Sequence, residues 1–270
     1  MLGRQNFYPT ESGLGEVLHS LDSSESPGDF LARSEGYAED FFRALGAEKV
    51  VAIDNSAYEG AAIVADMNAP LDPALRNQFS VIFDGGCLEH IFNFPQAIRN
   101  CMEAVEVGVY FLAATPANNY CGHGFYQFSP ELFYRVFSAE NGFATRAIMI
   151  KDGAAWYRVT DPAEARSRVE LRNTRPTLLF VLAKKIADAP YLMKPPQQSD
   201  YVQRWNEADK PSLPVERMAN GQRGGLRERI PLGLKEFCRP LLSNLPVGFR
   251  SVHYAKMKAQ QVLSGEFCSK

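Results

Sequence analysis

Between residues 29 and 184, short apolar runs of strand length alternate with stretches whose apolar positions recur at helical spacing. The runs predict strands at 50–54, 62–66, 79–84, 107–114, 145–150 and 177–183, with a weaker one near 29–33. Most are apolar throughout, as expected of strands buried on both faces, so they predict a mostly parallel sheet sandwiched by helices. Helices are predicted at 36–45, closed by Gly46, at 95–105, and at 130–137, where Ser129 can cap and Pro130 takes the first helical position. Residues 151–175, charged and aromatic, interrupt the last two strands and read as an insertion. After Lys185 the pattern changes. Residues 186–230, with KPPQQS and NGQRGG, are loop-rich, and short helices are predicted at 232–242 and 253–263. The expected division is a domain over 1–185, with its core at about 29–184, and a C-terminal extension over 186–270, loop-rich and then helical.

Length and composition support this picture: 270 residues, 46% of them hydrophobic, can bury a large core. The net charge of -2 gives no overall basic field to recommend nucleic acid or an anionic membrane as partner. The charge is uneven, however. Residues 1–186 carry 16 Lys+Arg against 23 Asp+Glu, and residues 187–270 carry 13 against 8. A basic tail including Arg223, Arg227, Arg229, Arg239 and Arg250 could bind RNA or a phosphorylated acceptor, or be a solvated face. The five cysteines, Cys87, Cys101, Cys121, Cys238 and Cys268, form no metal-finger spacing and are odd in number, so reduced thiols in a cytoplasmic protein are expected. No leader-like N-terminus and no membrane-length apolar run is present in the sequence, so no membrane span is expected.

In an open parallel sheet, ligands bind beyond the carboxyl ends of the strands. Three successive predicted strands end in aspartate here: Asp54, Asp66 and Asp84. A carboxylate at Asp54 can accept hydrogen bonds from both hydroxyls of a ribose. Asp66, one strand further on, can accept from an exocyclic adenine amine while Met67 offers apolar surface to the ring. The pair describes a nucleoside pocket. The alternative is that each aspartate caps a following turn, as Asp often does.

These residues resemble the class I S-adenosylmethionine-dependent methyltransferases, a Rossmann-like superfamily. The resemblance spans about residues 29–184 and rests on VVAIDNS, VADMN, FSVIFDGGCLEHI with the helix PQAIRNCMEAV, and the strand VYFLAATP. It implies a seven-stranded sheet whose last strand is antiparallel, and a cofactor site in which Asp54 with Asn55 binds the ribose and Asp66 with Met67 the adenine. Asp84, at the end of the next strand, joins that cofactor group. The family's first strand ends in an acidic residue followed by closely spaced glycines; here residues 29–37 keep Gly36 but have Ala32-Arg33 in place of the first glycine. Glu11-Ser12-Gly13-Leu14-Gly15 also looks like that motif, but no apolar strand precedes it.

The Glu89-His90 pair matches one common in the superfamily. In small-RNA 2′-O-methyltransferases and some quinone-biosynthesis methyltransferases a similar pair belongs to a divalent metal site, with a further glutamate where this chain has Gly86. His123 could complete a Glu89, His90, His123 set if its loop folds over, because imidazole with carboxylate suits Zn, Mn or Fe. The reading preferred over a metal is that His90 lines the pocket, acts as a base or is satisfied by a buried hydrogen bond. After the fifth strand comes NNYCGHGFYQFSP, in which glycines around a histidine and aromatics predict a mobile acceptor-binding loop. Within it His123 is the expected general base toward an acceptor hydroxyl, with Tyr126 beside it, while Phe128 is expected in the core. The resemblance implies methyl transfer from S-adenosylmethionine to a hydroxyl or amine of a small-molecule or glycan-type acceptor, of the glycan or secondary-metabolite kind. A homodimer is left open. The alternative is a methyltransferase-like binding or scaffold protein without activity, with Arg33 occupying the methionine subsite. An NAD-type enzyme would need a G-x-G-x-x-G after the first strand, which is absent.

Overall fold

In a computed structural model of the chain, residues 1–208 and 254–256 are described. The first 45 residues are mainly helical. Helix α1 (Glu11–Ser20) starts where the Thr10 hydroxyl accepts from the Gly13 amide, and it buries Leu14 and Leu18, one turn apart. Helix α2 (Pro27–Ser34) covers the residues predicted as the first strand. The Ser26-Pro27 start decides this: the Ser26 hydroxyl accepts from the Asp29 amide, Pro27 sits at the first helical position, and Phe30 and Ser34, four apart, form the buried face. Arg33, on that helix, is paired with Glu25 and Asp40, so it fills no methionine subsite. The helix expected at 36–45 is shorter, α3 (Glu39–Ala44), because Glu35 and Gly36 turn left-handed first. Leu14, Leu18 and Phe30 form a small core of their own.

The sheet follows. Strands β1 (Ile53–Asp54) and β2 (Ile63–Val64) are short and parallel. Strand β3 (Phe79–Asp84) leads through helix α4 (Phe94–Ala104) to β4 (Val105–Asn118), which pairs with it in parallel. Helix α5 (Pro130–Val136), capped by Ser129 as the sequence indicates, connects to β5 (Phe143–Asp152). A hairpin returns as β6 (Ala155–Val159), inside the segment read as an insertion, followed by α6 (Pro162–Ala165). Strand β7 (Thr177–Lys185) lies between β4 and β5, antiparallel to both. Helix α7 (Ser199–Ala208) precedes β8 (Tyr254–Lys256), antiparallel to β6. The helix expected at 253–263 is thus a strand at 254–256, and the one expected at 232–242 lies outside the described residues.

The place of a first strand is taken by the N-terminal residues. Leu2 forms parallel bridges to both Ile53 of β1 and Asp84 of β3, and the Leu2 amide donates to the Phe83 carbonyl. The order is therefore β2-β1-Leu2-β3-β4-β7-β5-β6-β8. The left half is parallel and the right half antiparallel, and among the described residues there are eight strands besides the Leu2 bridge rather than the expected seven. The architecture is mixed α/β and compatible with a Rossmann-like sheet. Counting Leu2 as the first strand, the parallel half reads 3-2-1-4-5 in chain order, the doubly wound arrangement, with its reversal of direction between Leu2 and β3.

Helix α4 buries Ala97, Ile98, Cys101 and Met102 against this sheet, and α5 buries Phe133 and Val136. Neighbouring rings run from Phe94 through Phe128, Phe133, Phe137 and Phe143 to Tyr191, with centroids 4.8–6.2 Å apart. Phe128 is in the core, as expected. The sheet faces are covered unequally: along β7 buried residues alternate with half-buried ones such as Leu178, Phe180 and Leu182. Among the described residues no helix is long and apolar enough to cross a membrane.

Candidate functional site at the strand ends

In a doubly wound sheet the reversal point is where a ligand crevice is expected, and beyond Leu2 and β3 the structure brings Gly3, Gln5, Asp54, Gly85 and Cys87 close together. Gly3 is left-handed (φ +62°), and a Cβ there would stand 3.6 Å from Asp54 Oδ2 and 4.0 Å from Cys87 Sγ. These are ordinary contact distances, so it is the left-handed φ beside the carboxylate that favours glycine here. Asp54 is half-buried, and its Oδ1 accepts from the Ser56 amide at 3.2 Å. Gln5 Nε2 donates to the Leu2 carbonyl, and Gln5 Oε1 lies directly over the Gly85 backbone, where a Cβ would overlap it. Arg4 fastens the neighbouring loops, with its Nε on Glu39 at 2.7 Å, its Nη1 on the Glu59 carbonyl at 3.1 Å and its guanidinium over the Tyr37 ring.

The other sequence-derived cofactor residues fall in different settings. Gly36 (φ +81°) terminates α2 and faces the Tyr8 ring; it follows no strand, so the glycine beside the carboxylate is Gly3. Asn55 is exposed after β1. Asp66 is exposed, and Asn68 donates to it from both its amide and its side chain, which holds the carboxyl below its usual range. This is a turn-capping aspartate as well as a candidate contact. The Met67 side chain is buried in the core, with its carbonyl bound by Asn100 Nδ2 at 3.2 Å. Asn100 is itself buried and also donates to the Ala69 carbonyl, so it fixes the turn that carries Asp66 and Met67.

The turn after β3 runs from this crevice to a second cluster. Asp84 is fully buried; its Oδ1 accepts from the Cys87 and Leu88 amides, while Oδ2 has no hydrogen-bond partner. Burial, aided by the Glu89 charge, raises its pKa to about 7. Burial also pushes the Cys87 thiol up to about 12, so this thiol is no nucleophile at neutral pH. Glu89 is 1% exposed. Its Oε1 lies 3.2 Å from His123 Nε2, and its Oε2 has no hydrogen-bond partner. The exposed His90 ring stands edge-on to His123 with centroids 4.8 Å apart.

His123 reaches Glu89 because its loop is clamped. The Glu89 carbonyl accepts from the Phe125 amide at 2.7 Å and the Tyr126 amide at 3.3 Å. The Tyr126 hydroxyl donates to the Phe92 carbonyl at 2.6 Å, and Asn119 Nδ2 donates to Asn173 and to the Arg175 carbonyl. The loop expected to be mobile is therefore held at both ends, and the Tyr126 hydroxyl is engaged in holding it. Gly124 (φ +71°) is required at the centre: a Cβ there would approach the Glu89 carbonyl oxygen to 2.8 Å. Gly124→Ala is expected to cost about 1–2 kcal/mol of stability through the strained φ and this contact, measurable by urea unfolding. An unchanged midpoint would contradict the clamp.

Sequence reasoning brought Asp54, Asp84, Glu89, His90 and His123 to one end of the sheet, and missed Gly3, Gln5 and Asn100. Only one or two apolar residues precede Gly3, too few to read as a strand. No protein-family model and no curated protein matches the sequence. Among solved structures, a candidate methyltransferase from Bacillus halodurans C-125 overlays with a TM-score of 0.33 at 11% identity, covering 56% of this chain and 87% of that one. A likeness of this size assigns neither fold nor function.

Proposed function

We propose that the chain is an S-adenosylmethionine-dependent methyltransferase acting on a hydroxyl or amine of a small-molecule or glycan-type acceptor. The observation that carries this reading is the half-buried Asp54 carboxylate at a strand end, beside the Cβ-free Gly3, at the reversal point of the parallel strands. The residues suit a nucleoside. Asp54 retains Oδ2 for ribose hydroxyls while Oδ1 fixes the Ser56 turn, and Asp66 stays ionised one strand further out. Gly3 leaves ordinary contact distance beside Asp54, whereas the flexible Gln5 side chain over Gly85 has to swing aside for the rest of the cofactor. When bound, S-adenosylmethionine supplies the electrophilic methyl group.

The chain itself has to align an acceptor and remove one proton. Glu89 orients His123 through Nε2, leaving Nδ1 to take the proton of an acceptor hydroxyl, and the buried carboxylate stabilises the imidazolium that results. His90 flanks the same spot. The exposed rings of Phe92 and Phe125, 5.8 Å apart and edge-on, offer an apolar platform next to it.

A methyltransferase-like binding protein without turnover is the second reading, and one observation favours it: the Gln5 side chain lies across the crevice against Gly85. Titration calorimetry with S-adenosylmethionine and S-adenosylhomocysteine tests the cofactor site that the first reading requires and that Gln5 obstructs in the second. Micromolar binding is expected; no heat and no thermal shift with either ligand would overturn the assignment. Transfer of label to hydroxylated acceptors then separates the two readings.

A further inference from the structure

We propose that the chain has a second ligand site, for a phosphorylated small molecule, in the hollow where Arg135, Arg146 and Arg158 meet. The hollow, about 510 Å³, lies between the end of α5, the start of β5 and the end of β6. Phe143, the first residue of β5, pairs with Lys185, whereas the His123 loop follows Asn118, which pairs with Thr177. The hollow is thus at the opposite end of the sheet from the strand-end crevice and shares no residue with it. Its volume suits a metabolite-sized ligand, and Phe137, Phe143 and Val159 give it an apolar lining.

Three elements each supply one guanidinium: Arg135 from α5, Arg146 from β5 and Arg158 from β6. Against them stand two lining carboxylates, Asp161 and Glu164, so the wall is net positive. Asp161 is already committed, since it pairs with Arg135 and accepts from the Ala163 amide as the cap of α6. The position of Arg146 is a second, independent sign. Thr145 pairs with Ala183 and Ala147 with Leu182, so Arg146 is the extra residue of a β-bulge, a device that re-aims a side chain and is over-represented beside active sites. The Arg146 carbonyl accepts from Arg158 Nη2 at 2.9 Å, which brings the two arginines together. The walls are tied: the Tyr134 hydroxyl donates to the Val159 carbonyl at 2.6 Å and the Thr145 hydroxyl to the Phe137 carbonyl at 3.0 Å. Planar guanidinium forks held on a fixed frame match the oxygens of a phosphate, and a dianionic monoester satisfies more than one of them at once. The proposal is independent of the reading given to the crevice beside Asp54.

The test uses the full chain, titrated calorimetrically at low ionic strength with glucose 6-phosphate, inorganic phosphate and glucose. The expected result is saturable binding of glucose 6-phosphate at a single site, weaker binding of inorganic phosphate and none of glucose. Arg146→Ala and Arg158→Ala should each weaken binding of the ester at least about 10-fold, as loss of a charge-assisted hydrogen bond does. Arg146→Lys should recover only part of that loss, because an ammonium lacks the planar fork. Arg43→Ala on α3 makes the same charge change elsewhere and should leave binding unchanged. Arg158 is exposed, so its variant should keep the wild-type thermal transition and carries the test even if Arg146→Ala is destabilised. No saturable binding of either phosphate, glucose bound as tightly as its phosphate, equal weakening in Arg43→Ala, or binding indifferent to both Arg146→Ala and Arg158→Ala would overturn the proposal. Inorganic phosphate bound as tightly as the ester would overturn the ester and assign the site to the free ion.

Discussion

Lys185→Ala is expected to lower the stability of the fold by about 2–4 kcal/mol, through the buried neutral acceptors it leaves without a donor and the cavity beside them. Lys185 closes β7 and has no exposed surface. Its Nζ donates to Asn77 Oδ1 at 2.7 Å and to the Met102 and Val105 carbonyls at 3.0 and 2.9 Å, and it pairs with Asp188 at 2.9 Å. The two carbonyls belong to the C-terminal end of α4, where backbone acceptors lack helical partners and a cation is favoured. The lysine thus joins the end of α4, the entry to β3 and the segment after β7 in one contact. Its hydrogen bond holds the Asp188 carboxyl down at about 2. Truncation leaves buried acceptors without donors and a cavity beside them. Lys185→Met restores the volume without the donors, so it should recover only part of the loss in urea unfolding. A loss under about 1 kcal/mol in the alanine variant would show that the ammonium is not the node described.

Wild-type stability is expected to fall as pH rises from about 4 to 7, and Asp84→Asn to remove most of that slope. The Asp84 carboxyl titrates near 7 in the folded chain because it is buried, against about 3.9 when unfolded. Between those values the folded state holds a proton that the unfolded state has released, so raising the pH favours unfolding, by an amount on the order of 3 kcal/mol. Asparagine keeps the oxygen that accepts from the Cys87 and Leu88 amides and has no charge to desolvate. The comparison is the urea midpoint at pH 5 and pH 8 for both proteins. Equal slopes would contradict the buried, protonated carboxyl. Keeping an aspartate at such a position is the behaviour of a site residue more than of a core residue.

How much of this was legible depends on how local the determinant is. Strand β3 falls on the predicted 79–84, because VIF is a short apolar run bounded by Ser80 and Asp84, although of its three residues only Ile82 is fully buried and Val81 is exposed. Helix α5 starts at Pro130 because Ser129 and Pro130 are a complete start signal in two residues. Residues 29–33 were misread because Phe-Leu-Ala is too short to show a period, while the deciding signal, Ser26-Pro27, lay just upstream. The β5–β6 hairpin carried a readable sign, Asp152-Gly153, with Gly153 left-handed, that polar surroundings obscured. What no local pattern contains is pairing over distance. Leu2 meets β1 and β3, Gly3 meets Asp54, and Lys185 meets residues about 80 positions away.

The site divides along the same line. Strand-terminal acids are visible in sequence because the strands before them are, and the Glu89-His90 pair is visible as a motif. That Asp54 stands beside Gly3, and that His123 closes on Glu89, depends on loops from distant segments, fastened by Arg4 in one case and by Gly124, Phe125 and Tyr126 in the other. Asp66 shows the limit of the residue type as a signal: it does cap a turn, as aspartates do, whatever else it contacts.

The most direct test of the central claim is a paired calorimetric titration of wild type and Asp54→Ala with S-adenosylhomocysteine. Asp54 is only half-buried and makes a single turn contact, so the variant should fold as the wild type does, which its thermal transition without ligand will show. Micromolar binding by the wild type, weakened at least about 100-fold in the variant through loss of the charge-assisted ribose contacts, is the result predicted here. Equal binding by both proteins, or none by the wild type, would contradict a nucleoside pocket at the end of β1.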